Sequence, residues 1–250
     1  MDKFIIVTPH KYTASHNILK NLEKLDLPKN AEIFETEKES IYNENIDKIT
    51  KGDYYIFATR HQSQSKTPSL CIHSIGNFNE NSLGGKQKEL GVSMPSFIKI
   101  GLNALKKSEL KGFEVEIEAT HHGPYLEKPC LFIEIGSSEK EWGDEKAGEI
   151  IAKVILEIVK NKKRFKSCIV LGGGHYNKVA RKLMLDTEYA VGHICPKHSL
   201  ENLDEELLKQ MIKRSDDTIE LAVLDWKGLG KEKQRIISLL EKLEIKYIKE

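Results

Sequence analysis

The sequence has no apolar run long enough to cross a membrane. Its uninterrupted apolar stretches are short, such as Phe4–Val7, whereas a membrane-spanning helix needs about 18 apolar residues or more. The same four-residue stretch is too short for the apolar region of a secretory signal. We therefore expect no membrane partner and a cytoplasmic location.

Cysteine is scarce, and no two cysteines form a C-x-x-C pair. The four are Cys71, Cys130, Cys168 and Cys195. This scatter predicts reduced thiols and argues against a disulfide framework.

Neither sign of charge is in excess, with 39 Lys and Arg against 38 Asp and Glu. The densest basic run lies within Lys160–Lys166. One interpretation is the solvated end of a helix, where cations meet the negative end of the dipole. The other is a patch that contacts phosphates, and the sequence leaves both open.

Motifs for covalent catalysis are also absent. There is no Gly-x-Ser-x-Gly elbow and no signature of a cysteine nucleophile paired with histidine. Gly172-Gly173-Gly174 is followed by neither the Lys-Ser/Thr of a Walker A loop nor a third spaced glycine, because Asn177 stands there. We therefore favour hydrolysis by an activated water over covalent catalysis.

Short apolar strands alternate with amphipathic helices along the chain. The segments apolar enough for burial on both faces are Phe4–Val7, Tyr54–Ala58, Cys130–Ile135 and Ser167–Leu171. Helical spacing marks Ser15–Leu25 and Pro95–Lys107, and Ser138 with Glu141 predicts a capping box that opens a long helix. This alternation predicts an α/β protein, a three-layer α/β/α sandwich with a mainly parallel, mixed central sheet. We expect one domain over residues 1–250, with a loop-rich segment near 60–96.

One predicted strand alternates strictly between apolar and acidic residues. Over Phe113–Thr120, one face carries Val115, Ile117 and Ala119, and the other carries Glu114, Glu116 and Glu118. Such alternation is typical of a strand with one buried face.

Several of the nine histidines follow predicted strands. They lie in Thr59-Arg60-His61, in Thr120-His121-His122-Gly123-Pro124, in Gly174-His175 and, less clearly, in Pro9-His10. The carboxyl ends of parallel strands meet at one edge of a sheet, so these loops converge. Imidazole is a common ligand of Zn²⁺ and a base near neutral pH. A single histidine is more often structural, but the cluster indicates metal binding or catalysis.

Three positions in these loops allow more than one interpretation. His121 and His122 are adjacent, and neighbours on an extended chain point to opposite sides, so we expect one to bind metal or act as base while the other packs. Glu134 lies in a buried strand, where it could be a metal ligand, a general base, a partner that orients histidine, or half of a salt bridge. The Gly172–Gly174 turn could bind an anion through its backbone N–H groups or be a plain tight turn.

These motifs resemble, in the same order, the archaeal- and plant-type D-aminoacyl-tRNA deacylase family. The matching segments are Thr59–His61, His73–Asn77, Thr120–Pro124, Glu134–Ser138, Gly172–Tyr176 and Gly192–His193. The resemblance covers essentially the whole chain. It implies a phosphorylase/hydrolase-like fold, zinc dependence, and hydrolysis of the ester that joins a D-amino acid to the 3′-terminal ribose of tRNA.

The resemblance and the residue chemistry together give a set of expected roles. Metal ligands are expected at His61, His73, His121 and His193. Proton transfer is expected at His122, Glu134 and His175. Substrate binding is expected at Arg60, Gly172, Gly173, Gly174, Lys178 and Arg181. A zinc-activated water would attack the ester carbonyl, and the partner would be the 3′ acceptor end of aminoacyl-tRNA, with no DNA partner, for a monomer or small homo-oligomer.

Two other functions are compatible with parts of the sequence. Another metal-dependent hydrolase or a phosphorylase could use the same fold, because fold alone does not set function. A non-enzymatic RNA-binding protein would interleave aromatic and basic residues, whereas aromatics make up 7% of this chain and are scattered.

Overall fold

Ten strands form two sheets in the computed structural model, which describes residues 2–79 and 83–250. The first sheet contains β1 (Phe4–Pro9), β2 (Ala31–Thr36), β3 (Tyr54–Arg60), β4 (Ser69–His73), β5 (Glu114–Ile117) and β6 (Cys130–Gly136). Its strand order is β2-β1-β3-β6-β4-β5. The second sheet contains β7 (Lys166–Leu171), β8 (Tyr189–Cys195), β9 (Ile219–Leu224) and β10 (Tyr247–Lys249), in the order β10-β9-β7-β8.

Helices cover both sheets. They are α1 (Thr13–Leu22), α2 (Ile46–Ile49), α3 (Pro95–Lys107), α4 (Glu139–Trp142), α5 (Glu145–Lys160), α6 (Lys178–Asp186), α7 (Glu205–Lys213) and α8 (Lys233–Lys242). Short 3-10 helices lie at Ser40–Tyr42, Lys197–Asn202 and Gly230–Glu232. The strands pair in parallel except for β4 against β6. The predicted α/β class with mainly parallel, mixed strands is therefore confirmed, with the strands divided between two sheets.

The two sheets meet along the segment Glu118–His121, which we call the seam. Thr120 N donates a hydrogen bond to Ile194 O at 3.0 Å, and Ile194 N donates to Thr120 Oγ1 at 3.0 Å. On the other side of the segment, His121 forms a parallel bridge with Ile75. Helix α3 contacts β4, β5 and β8, so one apolar core runs beneath both sheets.

The capping box predicted at Ser138 is present, but it does not open the long helix. Glu141 accepts hydrogen bonds from Ser138 N and Oγ, and this box caps only the single turn of α4. Gly143 follows α4, and Asp144 then accepts from Ala147 N as the N-cap of α5. The prediction of one continuous helix was wrong because Gly143 and a second N-cap interrupt it.

The loop-rich segment near 60–96 is described in part. It contains β4 and the bridge between Gly76 and Leu90, while residues 80–82 lie outside the described residues. The extent of the domain stays a prediction. In the described parts of the chain, no helix is both long and apolar enough to cross a membrane.

Candidate metal centre and active site

Five histidines come together where β3, β4, β7 and the seam end. His73 and His121 have ring centroids 4.5 Å apart, His121 and His122 4.2 Å, and His121 and His175 4.6 Å. His61 joins them through the two buried glutamates described below. This histidine cluster borders a cavity of about 290 Å³.

In three of these histidine rings, one nitrogen donates a hydrogen bond to a backbone carbonyl. His73 Nδ1 donates to Ser74 O at 3.0 Å, His121 Nδ1 to Ala119 O at 2.8 Å, and His122 Nδ1 to Gly123 O at 2.6 Å. A carbonyl only accepts, so each Nδ1 carries the proton and the lone pair of the neutral ring lies on Nε2. One ring nitrogen from each of the three lies within 4.8 Å of the others.

Metal-binding histidines are held in the same way, with the second ring nitrogen donating to a carbonyl or carboxylate. His73 Nε2 is buried and has no hydrogen-bond partner among the described residues. The nearest acceptor, Glu134 Oε2, lies 3.6 Å away, beyond hydrogen-bond distance, and a buried nitrogen without a hydrogen bond is costly unless something binds it. The three imidazoles therefore fit a divalent cation that accepts nitrogen ligands, as Zn²⁺ does.

Two of the three rings are neutral at physiological pH. Burial, reinforced by the neighbouring His122 and His73, holds the pKa of His121 well below its usual value. Burial and the charge of His73 lower the pKa of His122 to about 4. Both rings therefore offer an unprotonated nitrogen.

Two buried carboxylates lie among the histidines. Glu118 Oε1 is 3.1 Å from His61 Nδ1, and Glu118 Oε2 is 3.1 Å from His175 Nε2 and 3.5 Å from His121 Nε2. Glu134 Oε2 lies 3.6 Å from both His61 Nδ1 and His73 Nε2. Carboxylates in this position can bind a cation, orient a histidine or accept a proton.

Burial and the histidines act in opposite directions on these carboxylates. Burial raises the pKa of Glu118, but the hydrogen bond from His175 and the charges of His73 and His61 outweigh it and hold the pKa well below normal. For Glu134, burial is likewise outweighed by His61 and His73, and the pKa is lowered. Both groups are therefore carboxylates at neutral pH.

The same contacts raise the pKa of two histidines. Burial alone would lower the pKa of both His61 and His73. In each ring, the contacts with Glu134 and Glu118 outweigh burial and raise the pKa. Protons therefore compete with a cation for His73 more strongly than they would for an unperturbed histidine.

Glu118 was missed by reasoning from the sequence. Alternation along Phe113–Thr120 groups it with Glu114 and Glu116, but Glu114 is exposed while Glu118 is buried. The available signal was its place near the carboxyl end of the strand, three residues before His121. Tyr176, whose hydroxyl lies 2.8 Å from His61 Nε2, was missed as well.

The expectation that His121 and His122 point apart was wrong. His122 has φ of +45°, in the left-handed region, so the chain is not extended there. Both rings therefore turn into the same cluster.

His193 is not brought to the cluster. Its Nε2 donates to Gly91 O and Arg214 O, both at 3.1 Å, and its Nδ1 lies 3.2 Å from Thr120 Oγ1. Both ring nitrogens are thus occupied, and burial lowers the pKa of His193 to about 4. The side chain ties the seam to two loops, and we leave it out of the ligand set.

The predicted substrate-binding residues separate into three places. Arg60 lies in the wall of the cavity, beside His61 and the segment Glu39–Ile41. Gly173 and Gly174 border a separate open depression, and Lys178 and Arg181 border a groove lined by β5.

The glycine turn has a structural role. Gly172 and Gly173 have φ of +101° and +83°. Gly172 N donates to Cys195 O, and Gly172 O accepts from Asn177 Nδ2. These bonds fasten the end of β7 to the end of β8 and to the N-cap residue of α6.

The basic run within Lys160–Lys166 lies at the opposite edge of the sheet from the cluster. It ends at Lys166, the first residue of β7, and the six residues of that strand span about 20 Å before the chain reaches His175. Arg164 pairs with Asp216 and donates to Tyr54 Oη, and Lys166 pairs with Glu188 at 2.8 Å. The run therefore does not border the cavity.

Comparisons with known proteins agree with one another. A family model described as D-aminoacyl-tRNA deacylase matches residues 49–248. A relative from Pyrococcus furiosus named D-aminoacyl-tRNA deacylase is 40% identical over 228 residues, covering 87% of this chain and 83% of the relative. One from Methanocaldococcus jannaschii with the same name is 34% identical and covers 98% of each chain. A crystal structure titled as a conserved protein of unknown function superposes with a TM-score of 0.92 at 29% identity, covering 99% of this chain and 95% of that one.

Proposed function

The chain belongs to the D-aminoacyl-tRNA deacylase family, as the order of its motifs predicts, and we propose that it hydrolyses the ester of D-aminoacyl-tRNA. The products are a free D-amino acid and tRNA. The reaction would clear mischarged tRNA, in the cytoplasm where aminoacyl-tRNA is used. Both proofreading of chirality and detoxification of D-amino acids follow from it.

The observation that carries the proposal is the set of His73, His121 and His122, with each Nδ1 bound to a backbone carbonyl. These residues would hold a zinc ion through Nε2. Zinc at this position would lower the pKa of a water molecule and polarise the ester carbonyl.

Glu134 and His175 are suited to move the protons of the reaction. Ester hydrolysis needs a base that takes a proton from the attacking water and an acid that gives one to the departing ribose oxygen. Glu134 is a carboxylate in the cavity wall and can take the first proton. His175 also borders the cavity, is 40% exposed and is oriented by Glu118, so it can supply the second.

The direct test is hydrolysis of matched D- and L-aminoacyl-tRNA by the purified protein, before chelation, after chelation and after zinc is restored. We expect turnover of the D-ester alone, lost on chelation and recovered with zinc. Turnover that ignores chelation would remove zinc from the proposal and leave the reaction. No turnover of either ester by the folded, zinc-loaded protein would refute the proposed function.

A pair of variants distinguishes the role of the histidine cluster from the general effect of replacing a histidine. His122→Gln should lower kcat by about 100-fold or more, because it removes a ligand nitrogen. His10→Gln is the control, since His10 pairs with Glu37 at 3.2 Å outside the cavity wall. Equal activity of the two variants would show that His122 has no part in the reaction.

A further inference from the structure

Arg60 is the strongest candidate for a substrate contact that the reaction itself does not require. If the proposed function holds, the ester to be cleaved sits on a ribose that also carries a 5′ phosphodiester. The amino acid carboxyl is consumed in the ester, so this phosphate is the anion nearest to the reacting carbonyl. A cation in the wall of a cavity that binds the ester is therefore within reach of that phosphate.

Among the described residues that form the cavity wall, Arg60 is the only lysine or arginine. The other titratable groups there are Glu39, Glu134 and the histidines. The other predicted contacts, Lys178 and Arg181, border a different groove. A phosphate bound at this cavity thus has one permanently charged partner.

The Arg60 guanidinium is held in place before any substrate arrives. Its Nη2 donates to Glu39 Oε1 at 2.7 Å, and its Cζ lies 4.8 Å from the ring centroid of Tyr12 and 5.1 Å from that of Trp142. Trp142 is itself fixed, because its Nε1 donates to His61 O at 2.9 Å. Through Trp142, Arg60 is linked to the backbone of its neighbour in sequence, His61, which belongs to the histidine cluster.

Most of the donors of this guanidinium remain available. Arginine has five N–H groups, and within residues 2–79 and 83–250 the bond to Glu39 is the only hydrogen bond that Arg60 donates from its side chain. Its side chain is 24% exposed, so a ligand in the cavity can reach it. A planar fork stacked on aromatic rings is the arrangement that binds phosphate oxygens in pairs.

We propose that Arg60 binds the phosphate of the terminal nucleotide, with Glu39, Tyr12 and Trp142 as positioning residues. The proposal rests on the proposed function, since it names the part of the substrate that the same cavity recognises. It predicts that the enzyme distinguishes two esters that differ only in this phosphate.

The test uses two small substrates with the same D-aminoacyl group on the ribose 2′(3′) oxygen, one made from adenosine and one from adenosine 5′-monophosphate. The folded, zinc-loaded protein should hydrolyse the phosphorylated ester with a kcat/KM about 10–100-fold higher, the range expected for a charge-assisted pair of hydrogen bonds. Arg60→Ala should reduce this ratio to about one, because kcat/KM for the phosphorylated ester falls to the level of the adenosine ester. Arg60→Lys should retain part of the ratio.

Arg164→Ala is the matched control. Arg164 also pairs with carboxylates and lies 4.7 Å from the ring centroid of Phe97, but it is at the opposite edge of the sheet. This variant should keep the full ratio. Melting temperatures of all variants show whether any loss reflects unfolding.

Competitive inhibition gives a second measurement that does not need the variants to turn over substrate well. Adenosine 5′-monophosphate should inhibit the wild-type protein more strongly than adenosine does, and Arg60→Ala should remove the difference. A preference that persists in Arg60→Ala, or a wild-type protein with no preference, would overturn the proposal. If the wild-type protein hydrolyses D-aminoacyl-tRNA in either case, the proposed function survives that result. If it hydrolyses neither the tRNA nor the small esters, the proposed function itself fails.

Discussion

Glu118 is the residue whose burial most changes the interpretation of the site. It touches His61 and His175 at 3.1 Å and His121 at 3.5 Å, so one carboxylate orients rings from three separate loops. Ring orientation sets where the lone pairs point, and partners of this kind strongly affect metal affinity. Glu118 should therefore matter for the metal as much as for the fold.

We expect Glu118→Gln to weaken zinc binding by about 10–100-fold. The amide keeps the shape but removes the charge that favours a cation. A competition titration with a chromophoric chelator measures the affinity. Glu114→Gln is the control, since Glu114 lies on the same face of the strand but is exposed. Equal affinities in the two variants would rule out a role for the buried carboxylate.

His193 should behave in the opposite way. His193→Ala removes the donor to Gly91 O and Arg214 O and leaves a buried void, so the free energy of unfolding should fall by about 2–4 kcal/mol. Bound zinc per chain should not change. Chemical denaturation and metal analysis of the same preparation give both numbers. Loss of zinc with unchanged stability would return His193 to the ligand set.

At the scale of elements, the strands that could be predicted have a clear apolar pattern, which is either continuous or, in β5, strictly alternating. β1, β3, β6 and β7 are apolar at nearly every position, and the sequence predicts each of them. β2 was not predicted, because Glu32 and Glu35 face solvent on this strand at the edge of the sheet. β8 was not predicted either, since Gly192 and His193 interrupt its apolar pattern. Burial of a polar residue depends on neighbours from distant parts of the chain, which local patterns do not contain.

Contacts between distant parts of the chain also limit how much of the site can be predicted. The order of strands predicts that His61, His121 and His175 converge at one edge, and the structure brings them together. The separation of His193 depends on Gly91 and Arg214, two residues far from it in sequence. The joint orientation of His121 and His122 depends on a left-handed residue that no spacing rule marks.

The glycine turn between β7 and α6 gives a prediction at this scale. An added Cβ at Gly173 would lie 2.7 Å from Asn177 Nδ2 and 2.9 Å from Asp225 Oδ2, at a φ of +83°. Gly173→Ala should therefore lower the free energy of unfolding by about 1–3 kcal/mol. The neighbouring Gly174→Ala is the control, because its Cβ would come no closer than 3.7 Å to Tyr176 O. Equal stabilities in urea denaturation would contradict this account of the turn.

At the scale of the whole molecule, the cluster joins the two sheets. His73 ends β4 of the first sheet, His175 follows β7 of the second, and Glu118 in the seam contacts His175 directly. A ligand that binds only the folded cluster stabilises the entire chain.

Zinc should therefore raise the melting temperature of the protein. At a free concentration about 100 times its dissociation constant, a ligand adds about 2.7 kcal/mol to the free energy of unfolding. Differential scanning calorimetry with and without a chelator measures the shift. His122→Gln should show a much smaller shift, and an equal shift in that variant would place the zinc elsewhere.

The contacts of the seam also determine at what stage of synthesis the site can form. On the ribosome, His61, His73 and His121 emerge early, but Tyr176, which contacts His61, and Ile194, which fastens Thr120, emerge much later. A nascent chain halted before β8 has its first histidines without the groups that orient them. Loading with the proposed metal would therefore follow synthesis of β8, and a truncated translation product would leave the ribosome without a formed site.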